Sequence, residues 1–130
     1  ALCVCIVALV WSGAAQAQAC AEEVLRNLFS ELEAIDTAGE ERLKQSLDRL
    51  AAQEAWSATQ RSDYTATLAD SPQVDAAEEN RGRLIARLFS LVQGGDVDCA
   101  EIDALHAEVL ALEKAQWGTA VKQVEQRIFH

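Results

Sequence analysis

Apolar positions recur with a helical period along most of this 130-residue chain. Val24, Leu25, Leu28, Phe29, Leu32 and Ile35 are spaced by threes and fours and predict a first helix over 21–35. Thr37, Ala38, Gly39 and Glu40 then read as a stop followed by a capping box. A second stripe starts near residue 38 with Leu43, Leu47 and Leu50. It passes through the polar Glu54, Ser57 and Arg61 and turns apolar again at Tyr64 and Leu68. One long helix to Ala69 is expected, with a break near Arg61, Ser62 and Asp63 as the alternative.

Ser71 and Pro72 open a third helix, serine as N-cap and proline at the first helical position. Its stripe runs from Val74 and Ala77 to Leu88, Phe89 and Val92, and Gly94 and Gly95 end it. Asp98 and Glu101 have capping-box spacing and open a fourth helix over about 99–129. This last stripe is broad, which marks the most enclosed helix. Within it, Gly118 costs about 1 kcal/mol relative to Ala, and its place beside Trp117 suggests a close helix crossing.

Six glycines and one proline are few, and no run of alternating β-branched residues signals a strand. The expectation is an all-α fold, an antiparallel four-helix bundle with unequal helix lengths.

The first eleven residues carry no charge and are too few to cross a bilayer, which takes about 20. After Ser12 and Gly13, the segments Ala15-Gln16-Ala17 and Ala17-Gln18-Ala19 both fit a small-x-small cleavage site. Residues 1–19 are therefore expected to be a secretory signal segment, with its Met and basic leading residues upstream of Ala1. Residues 20–130 form a single helical domain, periplasmic or secreted.

In such an oxidising compartment Cys20 and Cys99, the two cysteines left after cleavage, are expected to form one disulfide. The long loop it closes corresponds to about 4–4.5 kcal/mol in the chain-entropy model. The alternatives are an intermolecular bridge or a lipidated Cys20. Against the latter, Ala17 stands where a lipobox usually has Leu. Without lipidation no membrane attachment is expected.

Helix rises test this pairing. At 1.5 Å per residue the first helix rises about 22 Å, the second descends about 48 Å and the third climbs about 33 Å. Cys99 then comes within about 10 Å of the level of Cys20, close to what a disulfide requires. The same ruler leaves the hairpin of the first two helices projecting, as a contact surface or homodimer seam.

It also places Arg61, Arg81 and Glu113 at similar heights, each near the middle of its apolar stripe, with Glu54 and His106 as a second pair. Buried charges persist only when paired. A polar layer is therefore expected inside the bundle, with Glu113 between the two arginines.

Net charge is −10. Residues 20–70 carry eleven acids and five bases, and the densest excess lies there. This disfavours nucleic acid and anionic lipid and favours a basic protein or peptide partner. Asp96, Asp98, Glu101 and Asp103 crowd the head of the fourth helix, where they complement its dipole. They are a weak Ca²⁺ candidate, without the glycine and closing glutamate of an EF-hand in register. No cofactor is expected. There is no C-x-x-C-H or Met for haem, and no catalytic motif such as G-x-S-x-G or H-E-x-x-H.

The function expected on these grounds is a non-catalytic, exported interaction protein of the bacterial envelope that binds and masks a basic partner, as inhibitors or immunity proteins do. The alternatives are a holdase-like chaperone or envelope-stress protein, and a small-ligand or metal carrier.

Overall fold

The computed structural model describes residues 2–94 and 98–129, with side chains from Cys20 onward. The side chains of the expected signal segment, together with Gly95, Asp96 and His130, lie outside the described residues. The fold is all-helical: α1 (Leu2–Glu54), α2 (Ala58–Ala69), α3 (Pro72–Gln93) and α4 (Cys99–Ile128). Among the described residues there is no strand, and no helix is long and apolar enough to cross a membrane.

The expected boundary at Thr37–Glu40 is absent, because α1 runs straight through it. Gly39 is buried there, and a Cβ on it would overlap the indole of Trp117. The glycine serves packing between helices rather than a turn. Gly118, the residue expected to allow a close crossing, faces open space, with nothing within 4 Å of an added Cβ.

The real break comes at residues 55–57. Ala55 adopts a left-handed φ of 53°. The Trp56 amide donates to the Ala51 carbonyl at 2.9 Å, and the Ala55 amide to that of Ala52 at 3.4 Å. This is a Schellman ending built without glycine. Ser57 and Gln60 then form a reciprocal capping box. Ser57 Oγ accepts from the Gln60 amide at 3.2 Å, and Gln60 Oε1 accepts from the Ser57 amide at 2.8 Å.

The helix starts at Ser71 and Asp98 lie where the sequence puts them. Ser71 Oγ accepts from the Val74 amide at 3.2 Å, with Pro72 opening α3. Asp98 caps α4 through the Ala100 amide at 3.0 Å, but Glu101 turns to Arg87 instead of closing a capping box.

These boundaries change the topology. Cys20 is bonded to Cys99, Asp36 meets Trp117, and Leu47 and Leu50 share a cluster with Val124. Residue numbers rise together along both helices, so α1 and α4 run parallel, not in the alternating order expected. Arg87 pairs with Glu101 and Arg81 with Glu113, so α3 runs antiparallel to α4. Helices α2 and α3 thus form one descending rod, broken at Asp70 and Ser71.

The disulfide follows from matched lengths. From Cys20, α1 extends roughly 50 Å, and the 12 residues of α2 with the 22 of α3 return by about the same distance. The Cys20 and Cys99 Cα atoms come within 6.1 Å and the sulfurs are bonded. The expected projecting hairpin does not exist. The α1–α2 turn is packed against the end of α4, where the Arg127 guanidinium lies 5.0 Å from the Trp56 ring and 4.9 Å from that of Tyr64.

Burial divides the core in two. Near the disulfide, Val24, Leu28, Leu88, Ile102, Leu105 and Val109 form one cluster. Toward the other end, Leu47, Leu50, Leu68 and Val124 form a second, with Trp56, Tyr64 and Ile128 packed against it.

Two glycines separate packing from propensity. Gly39→Ala is expected to lower stability by about 1–3 kcal/mol through overpacking against Trp117. Gly118→Ala should raise it by about 0.5–1 kcal/mol through helix propensity. Ala55→Gly should gain about 1 kcal/mol by relieving the left-handed alanine. Urea unfolding of the three variants measures all of these.

Candidate functional site

Between the two apolar clusters lies a polar group drawn from three helices. Glu113 of α4 is 5% exposed, and its Oε2 accepts from Arg81 Nη1 of α3. Trp117, one turn further along α4, donates from Nε1 to Asp36 Oδ1 of α1 at 2.9 Å. The Asp36 and Glu113 carboxyl groups line the same two hollows and act on each other's titration.

Their proton affinities diverge. Burial, and then the neighbouring Asp36 carboxyl, push the Glu113 carboxyl above its ordinary 4.5, although Arg81 opposes this. The neighbouring Glu113 carboxyl holds the Asp36 carboxyl below its ordinary 3.8. Trp117 and the Arg81 charge add to that effect, and burial works against it. The two displacements run in opposite directions, so Glu113 is the easier of the two to protonate.

Of the residues expected in a polar layer, Arg81 and Glu113 meet. Arg61 does not join them; it pairs with Asp48 of α1 near the opposite end. Its expected height assumes a helix starting at 38, whereas α2 begins at Ala58. Glu54 is exposed at the end of α1 and far from His106. His106 instead faces Glu31, Nε2 to Oε2 at 2.8 Å. That approach is off the N–H direction. The buried Nε2 has no directional hydrogen bond.

The described members of the weak Ca²⁺ candidate form no metal-ligating group. Asp98 caps α4, Glu101 pairs with Arg87 at 3.2 Å, Asp103 is exposed, and Asp96 lies outside the described residues. No group of three or more metal-ligating side chains occurs among the described residues.

Sequence reasoning missed Asp36 and Trp117 as partners. The signal was present. Read across Thr37, the residues Leu32, Asp36, Gly39, Leu43, Leu47 and Leu50 keep one helical face. Asp36 is a polar member of that face, and Gly39 is the gap that admits the indole.

The polar group partitions two hollows. One, of about 350 Å³, opens where α2 gives way to α3. It is walled by Leu43, Leu68, Val74 and Trp117, with Glu40 and Glu78 also lining it. The other, of about 480 Å³, lies on the α1–α3 side beneath Phe29, Leu32 and Ile85. Asp36, Glu40, Arg81 and Glu113 line both. Glu40 and Glu78 are exposed and make no ion pair among the described residues. The first hollow thus combines an aromatic wall, an apolar side and unpaired carboxylates, a combination suited to an organic cation. Its one hydroxyl, that of Thr65, donates to the Arg61 carbonyl at 2.9 Å.

Compared with protein-family models, curated proteins and solved structures, the chain matches none of them.

Arg81→Leu leaves the Glu113 carboxylate facing only Asp36. It is expected to cost about 1–3 kcal/mol at neutral pH. The loss should shrink in acid, where Glu113 carries its proton. Chemical unfolding at both pH values tests this.

Proposed function

We propose that the protein is an exported, non-catalytic helical protein of the bacterial envelope that binds and masks a basic protein. A lysine or arginine side chain of that partner enters the cleft where α2 meets α3. In this reading residues 1–19 are a secretory signal and are removed. The domain from residue 20 onward then acts in an oxidising compartment, periplasmic or extracellular. The observation that carries the reading is the cleft itself: unpaired Glu40 and Glu78 beside the Trp117 indole, over an apolar wall. A net charge of −10 draws a basic partner toward it. The Cys20–Cys99 disulfide suits export.

A small-ligand carrier is the second reading. The hollow's volume of about 350 Å³ favours it, being at the lower end of the size used for small molecules. The partner would then be a free organic cation in place of a protein side chain.

A lysine-rich peptide and a glutamate-rich control, titrated into the native chain and a Glu40→Gln/Glu78→Gln variant, test the proposal. The lysine peptide should bind, with affinity falling steeply with salt. Binding should weaken about three- to tenfold in the variant, as expected for exposed charge pairs. No binding of the lysine peptide, or equal binding by the variant, would overturn it. Stabilisation by a free diamine without peptide binding would select the carrier.

A further inference from the structure

Eleven basic residues stand against twenty-one acids, so a cation without an acidic neighbour is an exception in this chain. Arg61, Arg81 and Arg87 make ion pairs, and Arg49 and Arg127 lie against aromatic rings. Arg26, Lys44, Arg83 and Lys122 each have an acid three or four positions away on the same helix, namely Glu22, Glu40, Glu79 and Glu125. Side chains at that spacing are neighbours on a helix surface. Arg42 and Lys114 differ. The positions three and four from Arg42 hold Ala38, Gly39, Gln45 and Ser46, and those from Lys114 hold Leu110, Ala111, Trp117 and Gly118. Neither cation makes an ion pair among the described residues.

These two cations, one on α1 and one on α4, line the same hollow, of about 280 Å³. It shares one lining residue, Trp117, with the acidic cleft. Among the described residues no carboxyl group lines it. Glu113, next to Lys114 in the chain, is turned to Arg81, and Glu41, next to Arg42, accepts from Gln45 at 3.3 Å. Ile35, Trp117 and Val121 give the hollow apolar walls. Gly118 leaves it open, because a Cβ there would meet nothing within 4 Å. A mid-helix glycine costs about 1 kcal/mol relative to alanine, and no neighbour at Gly118 requires it.

We propose that this hollow is a binding site for a small aromatic carboxylate, its ring lying over Gly118 against Trp117 and Ile35 and its carboxylate held by Arg42 and Lys114.

The chemistry of each part selects that class. A guanidinium fork and an ammonium both donate to a carboxylate, and charge-assisted hydrogen bonds of this kind are the stronger ones. The apolar walls and the indole call for a flat apolar body. The volume is just below the range of about 300–1,000 Å³ typical of small-molecule pockets, which limits the ligand to one or two rings. The net charge of −10 repels anions at long range, but at physiological ionic strength charges more than about 8 Å away are largely screened. The unpaired cations at the hollow therefore decide. The site takes a ligand of the opposite charge from the cleft, so the two stand or fall separately.

The test titrates 2-naphthoate into the full chain at physiological ionic strength, beside the neutral 2-naphthylmethanol, and follows the Ala38 and Gly118 amide resonances by nitrogen-15 NMR. Both residues line this hollow and neither lines the acidic cleft or its companion hollow. Both resonances should shift saturably with naphthoate, and the alcohol should bind about tenfold more weakly. Arg42→Gln/Lys114→Gln should weaken naphthoate binding about tenfold, as expected for two exposed charge pairs. Arg26→Gln/Arg83→Gln changes the net charge equally and should weaken it by less than about twofold. Gly118→Leu fills the hollow; it should melt no lower than the native chain, since leucine favours the helix, and the Ala38 resonance should stay fixed. No saturable shift in the native chain, equal binding of the alcohol, equal losses in the two charge variants, or undiminished binding by Gly118→Leu would overturn the proposal.

Discussion

A carboxyl group that is 5% exposed in the middle of a helical domain constrains everything around it. Glu113 cannot be left unpaired there without a cost of several kcal/mol. Its requirements account for Arg81 reaching across from α3 and for Asp36 interrupting the apolar face of α1. The Trp117 indole caps the arrangement by bonding Asp36 and filling the space that Gly39 leaves open. Such a fully partnered layer fixes the axial register of three helices. Sliding α4 by one turn would break the Arg81, Asp36 and Gly39 contacts together.

The disulfide fixes register in a second way. It joins Cys20 and Cys99 because the ascending and descending rods are nearly equal in length. The hydrophobic cluster of Val24, Leu28, Ile102 and Leu105 builds on that junction. From it, α1 and α4 climb side by side to the level of Asp36 and Trp117.

Local signals with a single chemical meaning were legible in the sequence. Ser71 before Pro72 gave a helix start, Asp98 gave another, and two cysteines gave one bridge. Arg81 and Glu113 were also found, because each sits on an apolar stripe whose helix had been delimited well. Errors arose where a tertiary contact overrode a local signal. Thr37, Ala38 and Gly39 resemble a helix end until the Trp117 ring is placed against them. The true end at Ala55 carries no glycine, so its left-handed turn left no mark in composition. Ser57 and Gln60 did leave one, the spacing of a capping box, but Ser57 also falls on the stripe of a continuous helix. That single misplaced boundary moved Arg61 by several turns and turned two parallel helices into antiparallel ones.

The two ends of the molecule differ in how they are closed. One is sewn covalently by the sulfurs. The other is held by the Arg127 guanidinium lodged against the Trp56 and Tyr64 rings, with a strained alanine in the adjoining turn. Cation–π contacts of this kind break and reform easily, whereas a cross-link does not. The uncrosslinked end therefore relies on noncovalent packing alone, whereas the sulfurs keep the other pair of helices joined even when their packing opens.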